Sequence, residues 1–200
     1  IEFTIISKET FANNKHYKNL NDLYVVSAAE INKLSGLKNN KSLVSVVHKK
    51  NQKKESIDFS NLIIALDSVN DPGNLGTIIR IADWFNIKSI ICSKNTVDLY
   101  NSKVIQSSMG SFSRVDVFYD NLEDVLDSKD ISVFGTSTDG VDINKFEKPD
   151  KGIILFGSES KGVSEHLKKY VDKWISIKKN GGAESLNVSV SVGIILHKLT

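Results

Sequence analysis

The stretch SVNDPGNLGTIIR, residues 68–80, contains residue types that could hold an anion near the start of a helix. Its asparagine, aspartate, proline and glycine are typical turn residues, and Asn74 is predicted to cap the helix that follows. Arg80 is expected in about the first turn of that helix, where the helix dipole disfavours a cation. A phosphate bound by its planar guanidinium would reverse this penalty. The alternative is an arginine that faces solvent and has no function.

A second polar stretch, SESKGVSEHL at residues 158–167, follows the apolar segment GIILFG. Glu159 stands between Gly157 and Gly162, where the backbone could come close to a ligand, and Ser164 could cap a short helix. A carboxylate at this point can orient a cation or accept a proton. The stretch could equally be an ordinary turn between a strand and a helix, and spacing alone leaves both interpretations open.

The third stretch, GGAESLNVSVSV at residues 181–192, has two conflicting periodicities. Valine and serine alternate as in a strand, but two apolar sets recur at helical spacing: Leu186, Val190, Gly193, Ile194 and His197, and Val188, Val192, Ile195 and Leu199. The length favours a helix from about Ser185 to the end of the chain. Because it is apolar on two faces, this helix is predicted to be buried, with Glu184, Ser185 and Asn187 crowded into its first turn.

These stretches follow apolar segments that alternate with helical ones, as in an α/β protein. Strands are predicted at 61–67, 87–93, 114–119, 131–136, 152–157 and 173–178, and the clearest helix at 76–85. Near-continuous apolar strands suit a mostly parallel sheet that is covered on both faces. Ligands of such sheets bind beyond the carboxyl ends of the strands, which is where the three stretches lie.

The first fifty residues form a separate pattern of short strands and helices. Strands are predicted at 3–7, 22–27 and 42–49, and a helix at 28–36. The polar, basic run KKNQKKES follows and indicates a domain boundary. We therefore predict one domain at residues 1–50, a linker at 51–60 and a second domain at 61–200.

Composition narrows the class of protein. The 200 residues carry a net charge of +2, and 40% are hydrophobic, as in ordinary globular proteins. Cys92 is the only cysteine, and no signal segment or membrane span is visible, so a reducing cytoplasm and no membrane are expected. The four histidines are scattered without metal-ligand spacing, which argues against a metal. The glycine motifs of NAD- and GTP-binding enzymes are missing, which disfavours that class.

Taken together, NDPGNLGTIIRIA, LFGSESKGVSEHL and ISIKKNGGAESLNVSVSVGIIL resemble the three motifs of the SpoU (TrmH-type) RNA 2′-O-ribose methyltransferases of the SPOUT superfamily. The resemblance covers residues 61–200. It implies an α/β fold with a mostly parallel sheet whose C-terminal segment forms a deep trefoil knot, a rare topology. It also implies S-adenosylmethionine as the cofactor and a homodimer that pairs through the knotted region. Residues 1–50 look like part of an L30e-like RNA substrate-binding domain.

The resemblance also implies roles for single residues. The implied catalytic residues are Asn74, Arg80, Glu159, Ser185 and Asn187, and the implied cofactor-binding residues are Thr136, Gly157, Ile177 and Leu186. The implied reaction transfers a methyl group to a ribose 2′-hydroxyl of structured RNA, either tRNA or rRNA. A catalytically silent, knotted RNA-binding protein is the alternative, which the retained polar residues disfavour. Lys178 stands where family members commonly have proline, and Ser191 where alanine is commoner.

Overall fold

A computed structural model of the chain describes residues 1–20, 22–37, 39–50, 57–127 and 131–200. The chain divides into two compact units, Ile1–Asn51 and Gln52–Thr200. Of the linker predicted at 51–60, residues 51–56 lie outside the described residues. The functional roles assigned to the two domains stay predictions.

The first unit is a three-stranded sheet with two short helices. Its strands are β1 (Phe3–Ser7), β2 (Leu23–Val26) and β3 (Leu43–Val46), and its helices are α1 (Lys8–Asn13) and α2 (Ala28–Leu34). The strand order is β2-β1-β3, with β1 parallel to β2 and antiparallel to β3. A capping box of Ser27 and Glu30 begins α2. Ile6 and Ile31 are fully buried and form the centre of this unit.

The second unit contains a six-stranded sheet, and it is parallel, as the apolar strand pattern predicts. The strands are β4 (Leu62–Leu66), β5 (Ser89–Ser93), β6 (Asp116–Asp120), β7 (Val133–Asp142), β8 (Gly152–Phe156) and β9 (Lys173–Ser176). Their order is β6-β5-β4-β8-β7-β9, and each neighbouring pair is parallel. β4 and β8 are adjacent and buried along their whole length. The loops that follow β4 and β8 therefore meet at one edge of the sheet.

Helices cover both faces of this sheet. They are α3 (Pro72–Trp84), α4 (Ser102–Ser107), α5 (Leu122–Asp127), α6 (Glu165–Lys168) and α7 (Val188–Leu199). α3 and α7 share a hydrophobic cluster with one face, which includes Ile64 and Val192. α5 and α6 share a second cluster with the other face, which includes Ile63 and Leu167. Successive residues of β4 thus point into different clusters, as a doubly covered strand requires. None of the helices in the described ranges is long and apolar enough to cross a membrane.

Two helix boundaries differ from the sequence prediction, and both concern site residues. α3 begins at Pro72 rather than at residue 76, so Arg80 is its ninth residue. It therefore lies beyond the first turn, and the helix dipole acts on charges within that turn. The N-cap of α3 is Asp71 and not Asn74, since Asp71 Oδ1 accepts the Asn74 N–H at 2.9 Å. α7 begins at Val188, with Asn187 as its N-cap. The predicted placing of Ser185 in the first turn of α7 is therefore wrong.

The predicted burial of both faces of the last helix is also wrong. Val188 and Val192 of one stripe are buried, whereas Val190 and Ile194 of the other are 48% and 37% exposed. Trp84 on α3, the helix against which α7 packs, is 82% exposed. Periodicity identifies two apolar faces, but it cannot distinguish a face buried in the core from one left on the surface of a single chain.

Candidate active site

Three side chains from distant parts of the chain form a hydrogen-bonded row at the carboxyl edge of the parallel sheet. Asn74 Nδ2 donates to Glu159 Oε1 at 2.5 Å, and Asn187 Nδ2 donates to Asn74 Oδ1 at 2.9 Å. We call Asn74, Glu159 and Asn187 the polar row. Asn74 is 85 and 113 residues away from its two partners along the chain. The fold thus brings together three of the five residues that the sequence predicts to be catalytic.

The start of α7 explains how the Asn187 amide is oriented. Its Oδ1 accepts the backbone N–H groups of Ser189 at 2.9 Å and Val190 at 3.4 Å, and the Ser189 hydroxyl at 2.6 Å. Asparagine is a favoured N-cap because its side-chain oxygen satisfies free N–H groups of the first turn. With Oδ1 used in this way, Nδ2 is left to donate to Asn74. The cap of a helix therefore also orients an amide of the polar row.

Asn74 is held in the first turn of α3 by Asp71 and Pro72, which are predicted from the sequence as turn residues but not as the start of the helix. Asp71 caps the helix, and Pro72 occupies the first position, where its missing N–H needs no partner. Aspartate directly before proline is the sequence signal that could have identified this cap. A Cβ at Gly76 would lie 1.9 Å from Ser107 Oγ, so the glycine allows α4 to pack closely on this part of α3. The cap and the neighbouring helix together fix the position of Asn74.

The loop that carries Glu159 is a narrow backbone turn. Ser158 and Gly162 exchange two backbone hydrogen bonds, of 3.1 and 2.9 Å, and Gly162 has a φ of 66°. A Cβ at Gly157 would lie 1.9 Å from the carbonyl carbon of Gly162. Both glycines are therefore needed for the turn itself, which brings backbone close to backbone. Glu159 lies exposed at the tip of this loop.

Arg80 stands apart from the polar row within a single chain. It follows Asn74 by six residues on α3, which corresponds to about 9 Å along the helix axis and about 120° around it. Its side chain is exposed, and within the described residues it makes no hydrogen bond or ion pair. Trp84, four residues further on, lies on the same side of α3 and is 82% exposed. The chain thus presents this guanidinium to solvent beside an uncovered aromatic ring.

Arg114, the other arginine, has a structural role. Its Nε and Nη2 donate to Asp83 Oδ2 at 2.9 and 2.7 Å, and the Ser111 hydroxyl donates to the same oxygen at 2.8 Å. These bonds tie the segment before β6 to α3. They also lower the pKa of Asp83, with the hydrogen bond from Arg114 as the largest cause. The two arginines therefore differ, because only Arg114 has its donors used inside the fold.

Three of the four residues predicted to bind the cofactor lie on neighbouring strands or directly after them. Gly157 directly follows β8, and Ile177 directly follows β9. Thr136 lies in β7, where the register with β9 shifts between Thr136 and Val141, and its hydroxyl donates to the Leu155 carbonyl at 3.1 Å. Residues 137–139, inside this shift, are exposed. This edge of the sheet therefore offers backbone and side chains to a ligand.

The remaining two predicted residues, Ser185 and Leu186, precede the cap of α7. Leu186 is 47% exposed, and Ser185 is also exposed and makes no hydrogen bond within the described residues. Neither side chain joins the polar row. In the part of the chain that the structure describes, no group of histidine, cysteine, aspartate and glutamate side chains could hold a metal ion.

Comparison with known proteins identifies the family. The family model described as the SpoU rRNA Methylase family matches residues 61–197. The chain belongs to this family, as its three motifs predict. It is thus a member of a family of S-adenosylmethionine-dependent RNA methyltransferases.

Curated relatives carry the names of RNA methyltransferases. The chain is 31% identical to the 23S rRNA (guanosine(2553)-2′-O)-methyltransferase RlmP of Bacillus subtilis, over 73% of this chain and 60% of that protein. It is 34% identical to an uncharacterized tRNA/rRNA methyltransferase, MG252, of Mycoplasma genitalium, over 98% of this chain and 79% of that protein. The chain therefore spans less than two thirds of the B. subtilis relative.

Solved structures share the fold over nearly the whole chain. An AdoMet-bound rRNA methyltransferase from Sinorhizobium meliloti has a TM-score of 0.84 at 26% identity, covering 100% of this chain and 79% of that one. AviRb from Streptomyces viridochromogenes, solved with AdoMet, has a TM-score of 0.85 at 21% identity, covering 99% and 81%. The likeness to AviRb bears on the fold alone. These structures confirm the α/β fold with a mostly parallel sheet, and S-adenosylmethionine is confirmed as the cofactor of the family.

Proposed function

We propose that this chain transfers a methyl group from S-adenosylmethionine to a ribose 2′-hydroxyl of tRNA or rRNA. The polar row carries the proposal, because Asn74, Glu159 and Asn187 come from the three SpoU-like motifs and are hydrogen-bonded together. A hydroxyl group that attacks must lose its proton. The carboxylate of Glu159 is the group of the polar row that can accept it, and the two amides can orient the hydroxyl. The name of the B. subtilis relative, a 2′-O-methyltransferase, supports a ribose target.

We propose that the carboxyl ends of β8 and β9, together with the part of β7 where its register with β9 shifts, hold the cofactor. When bound there, S-adenosylmethionine supplies the methyl group from its sulfonium. The residues at this edge fit such a group, since Thr136 and Gly157 offer polar and backbone atoms and the half-buried Ile177 offers apolar surface for a base. Leu186, with 47% of its surface exposed, adds a second apolar side chain.

The knot is part of the same proposal. The chain leaves β9 at the edge of the sheet and returns to α3, beside the central strand β4, where Asn187 donates to Asn74. This return path supports a C-terminal segment that is threaded through a backbone loop. Threading would hold α7 and the polar row in place without help from a further domain.

Arg80 is assigned a role that a permanent cation can perform. A guanidinium stays protonated in proteins, so Arg80 binds the phosphate next to the target ribose and stabilises the forming alkoxide rather than removing its proton. Asn74 and Glu159 orient the reacting groups, and Ser185 and Asn187 fix the cofactor and the ribose. Positioning of this kind can supply a large part of the rate in a transfer whose charge becomes dispersed.

A homodimer that pairs through α3 and α7 completes the proposed enzyme. Trp84, Val190 and Ile194 lie on these two packed helices and are 82%, 48% and 37% exposed. Large apolar side chains exposed together are typical of protein–protein interfaces. Pairing would cover the second apolar stripe of α7 and bring Arg80, on the same side of α3 as Trp84, to the interface. The first unit would serve as part of an L30e-like domain that binds the RNA, and the enzyme would act in the cytoplasm.

Transfer of a labelled methyl group to bulk RNA from a strain that lacks the protein tests this function. We expect label in RNA and none in DNA, since only RNA has the 2′-hydroxyl. Glu159→Ala should lose transfer but still bind S-adenosylhomocysteine in calorimetry. Glu165→Ala, which removes an exposed carboxylate on α6, should retain transfer. Binding of RNA by the wild-type protein without any labelling would instead support the catalytically silent alternative.

A further inference from the structure

A buried carboxylate joins the two loops that carry Asn74 and Glu159. Asp67 is the first residue after β4 and is only 3% exposed. Its Oδ2 accepts the backbone N–H of Ser164 at 2.8 Å, across 97 residues of sequence. Its Oδ1 accepts the hydroxyl of Ser68 at 2.9 Å. Both oxygens have partners, which a carboxylate in a buried place requires.

The backbone beside Asp67 is strained. Ser68 has a φ of 59°, in the left-handed region that residues other than glycine seldom occupy. Its N–H donates to Ser93 Oγ at 2.9 Å, and its hydroxyl turns back to Asp67. Such strain persists where the surrounding bonds hold it, and it is common near functional sites. The bond from Ser68 to Asp67 is one of those that hold the chain as it turns from β4 toward α3.

Asp67 therefore connects the bases of the two loops, whereas Asn74 and Glu159 meet at their tips. On one side it binds Ser68, at the start of the loop that leads to Asn74. On the other side it binds Ser164, at the end of the loop that carries Glu159. A charged acceptor makes a stronger hydrogen bond than a neutral one. We propose that Asp67 is a positioning residue that sets the distance between Asn74 and Glu159 during methyl transfer, an inference that rests on the proposed function.

A polar cavity next to Asp67 allows this role to be separated from folding. The cavity has a volume of about 210 Å³, and Asp67, Ser68, Ser93 and Ser164 are among its lining residues. Water can enter a cavity of this size when polar groups line it. In a variant without the carboxylate, water can accept the hydrogen bond of the Ser164 N–H. Asp67→Ala is therefore expected to fold, while the direct link between the loops is lost.

Asp67→Ala and Asp67→Asn test the role, with Asp172→Ala as a control at an exposed aspartate. Asp172 also accepts a backbone N–H, that of Val133 at 2.7 Å, but at the amino end of β7. At saturating RNA and cofactor, Asp67→Ala should lower kcat on the order of 10- to 100-fold, because small misplacements of reacting groups are costly. The KM for RNA and the affinity for S-adenosylhomocysteine should change little. Asp67→Asn, whose amide oxygen can still accept from Ser164, should recover most of the rate, and Asp172→Ala should keep it.

Two kinetic results would overturn the inference. One is that Asp67→Ala, assayed at a temperature at which it is folded, has the same kcat as the wild-type protein. The other is that Asp172→Ala loses as much kcat as Asp67→Ala. Failure of the proposed function gives a different result, namely no methyl transfer by the wild-type protein. Amide hydrogen exchange then tests Asp67 independently of transfer. Exchange across residues 157–164 should rise in Asp67→Ala and not in Asp172→Ala, and unchanged exchange in Asp67→Ala would also overturn the inference.

Discussion

Replacement of Asn74 by aspartate changes the polar row with almost no change of shape. In the wild-type protein, Asn74 donates through Nδ2 to Glu159 and accepts through Oδ1 from Asn187. Asn74→Asp keeps the acceptor for Asn187. It replaces the donor that faces Glu159 with a carboxylate oxygen, so two like charges meet where a hydrogen bond now joins the loops.

The loss of interaction free energy between positions 74 and 159 can be worked out from the 2.5 Å between Asn74 Nδ2 and Glu159 Oε1. A hydrogen bond to a charged group contributes about 1.5–3 kcal/mol. Two like charges at 2.5 Å repel by about 1.7 kcal/mol in water, the medium that suits the exposed Glu159. The sum, about 3–5 kcal/mol, is an upper limit, because exposed side chains can turn apart. With partial relief, kcat at neutral pH should fall about 30- to 300-fold.

Acid pH should restore part of the activity of Asn74→Asp. The introduced carboxyl has a raised pKa because a second carboxylate beside it disfavours its charged form. Once protonated, it can donate to Glu159 as the amide does in the wild-type protein. The assay compares kcat of the variant with that of the wild type from about pH 8 to about pH 5.5, with Asn74→Ala as the control. The ratio should rise for Asn74→Asp and stay level for Asn74→Ala, and a level ratio in both would refute the reasoning.

Three further substitutions test other parts of the structure. Arg80→Ala should abolish turnover and leave the affinity for S-adenosylhomocysteine intact in calorimetry. Lys88→Ala removes the same charge at the amino end of β5 and should keep both turnover and affinity. Normal single-turnover methylation in Arg80→Ala would exclude the role assigned to Arg80. We expect the wild-type protein to sediment as the proposed dimer and Val190→Glu to sediment as a monomer, because pairing would bury an unpaired charge. An unchanged mass would contradict the proposed interface. Arg114→Ala should lower the free energy of unfolding in urea at neutral pH. Because the folded-state pKa of Asp83 is lowered, the stabilisation by the Arg114–Asp83 ion pair is complete above the ordinary aspartate pKa of about 3.9. This stabilisation is lost as the pH falls through the lower folded-state pKa. If the difference in the free energy of unfolding between Arg114→Ala and the wild type stays constant down to about pH 2.5, the stabilisation does not come from this ion pair.

The strands of the second unit could be predicted from sequence because buried parallel strands are short apolar runs between polar loops. The segment 61–67 contains β4, and 152–157 contains β8. The order of the strands could not be predicted in the same way. Ile63 of β4 pairs with Ile153 of β8, although many other buried apolar residues would fit there equally well. That pairing decides which loops meet, and it depends on the packing of the whole sheet.

The site could be predicted in part because its residues lie in motifs that resemble those of a known family. That resemblance selected Asn74, Glu159 and Asn187, which the structure brings together. The turn of α3 that holds Arg80 is predicted wrongly, since Gly73 and Asn74 are weak helix formers and make the helix seem to start later than Pro72. Asp67 carries no motif signal at all, because its importance comes from a hydrogen bond across 97 residues.

The position of the methyl group on the modified nucleoside tests the central claim most directly. RNA from cells that lack the protein is incubated with the purified protein and S-adenosylmethionine, digested to nucleosides and analysed by mass spectrometry. We predict a nucleoside that carries the added methyl group on its ribose, formed by the wild-type protein and not by Glu159→Ala. A methyl group on the base, or a ribose methyl group that forms equally well without Glu159, would contradict the claim.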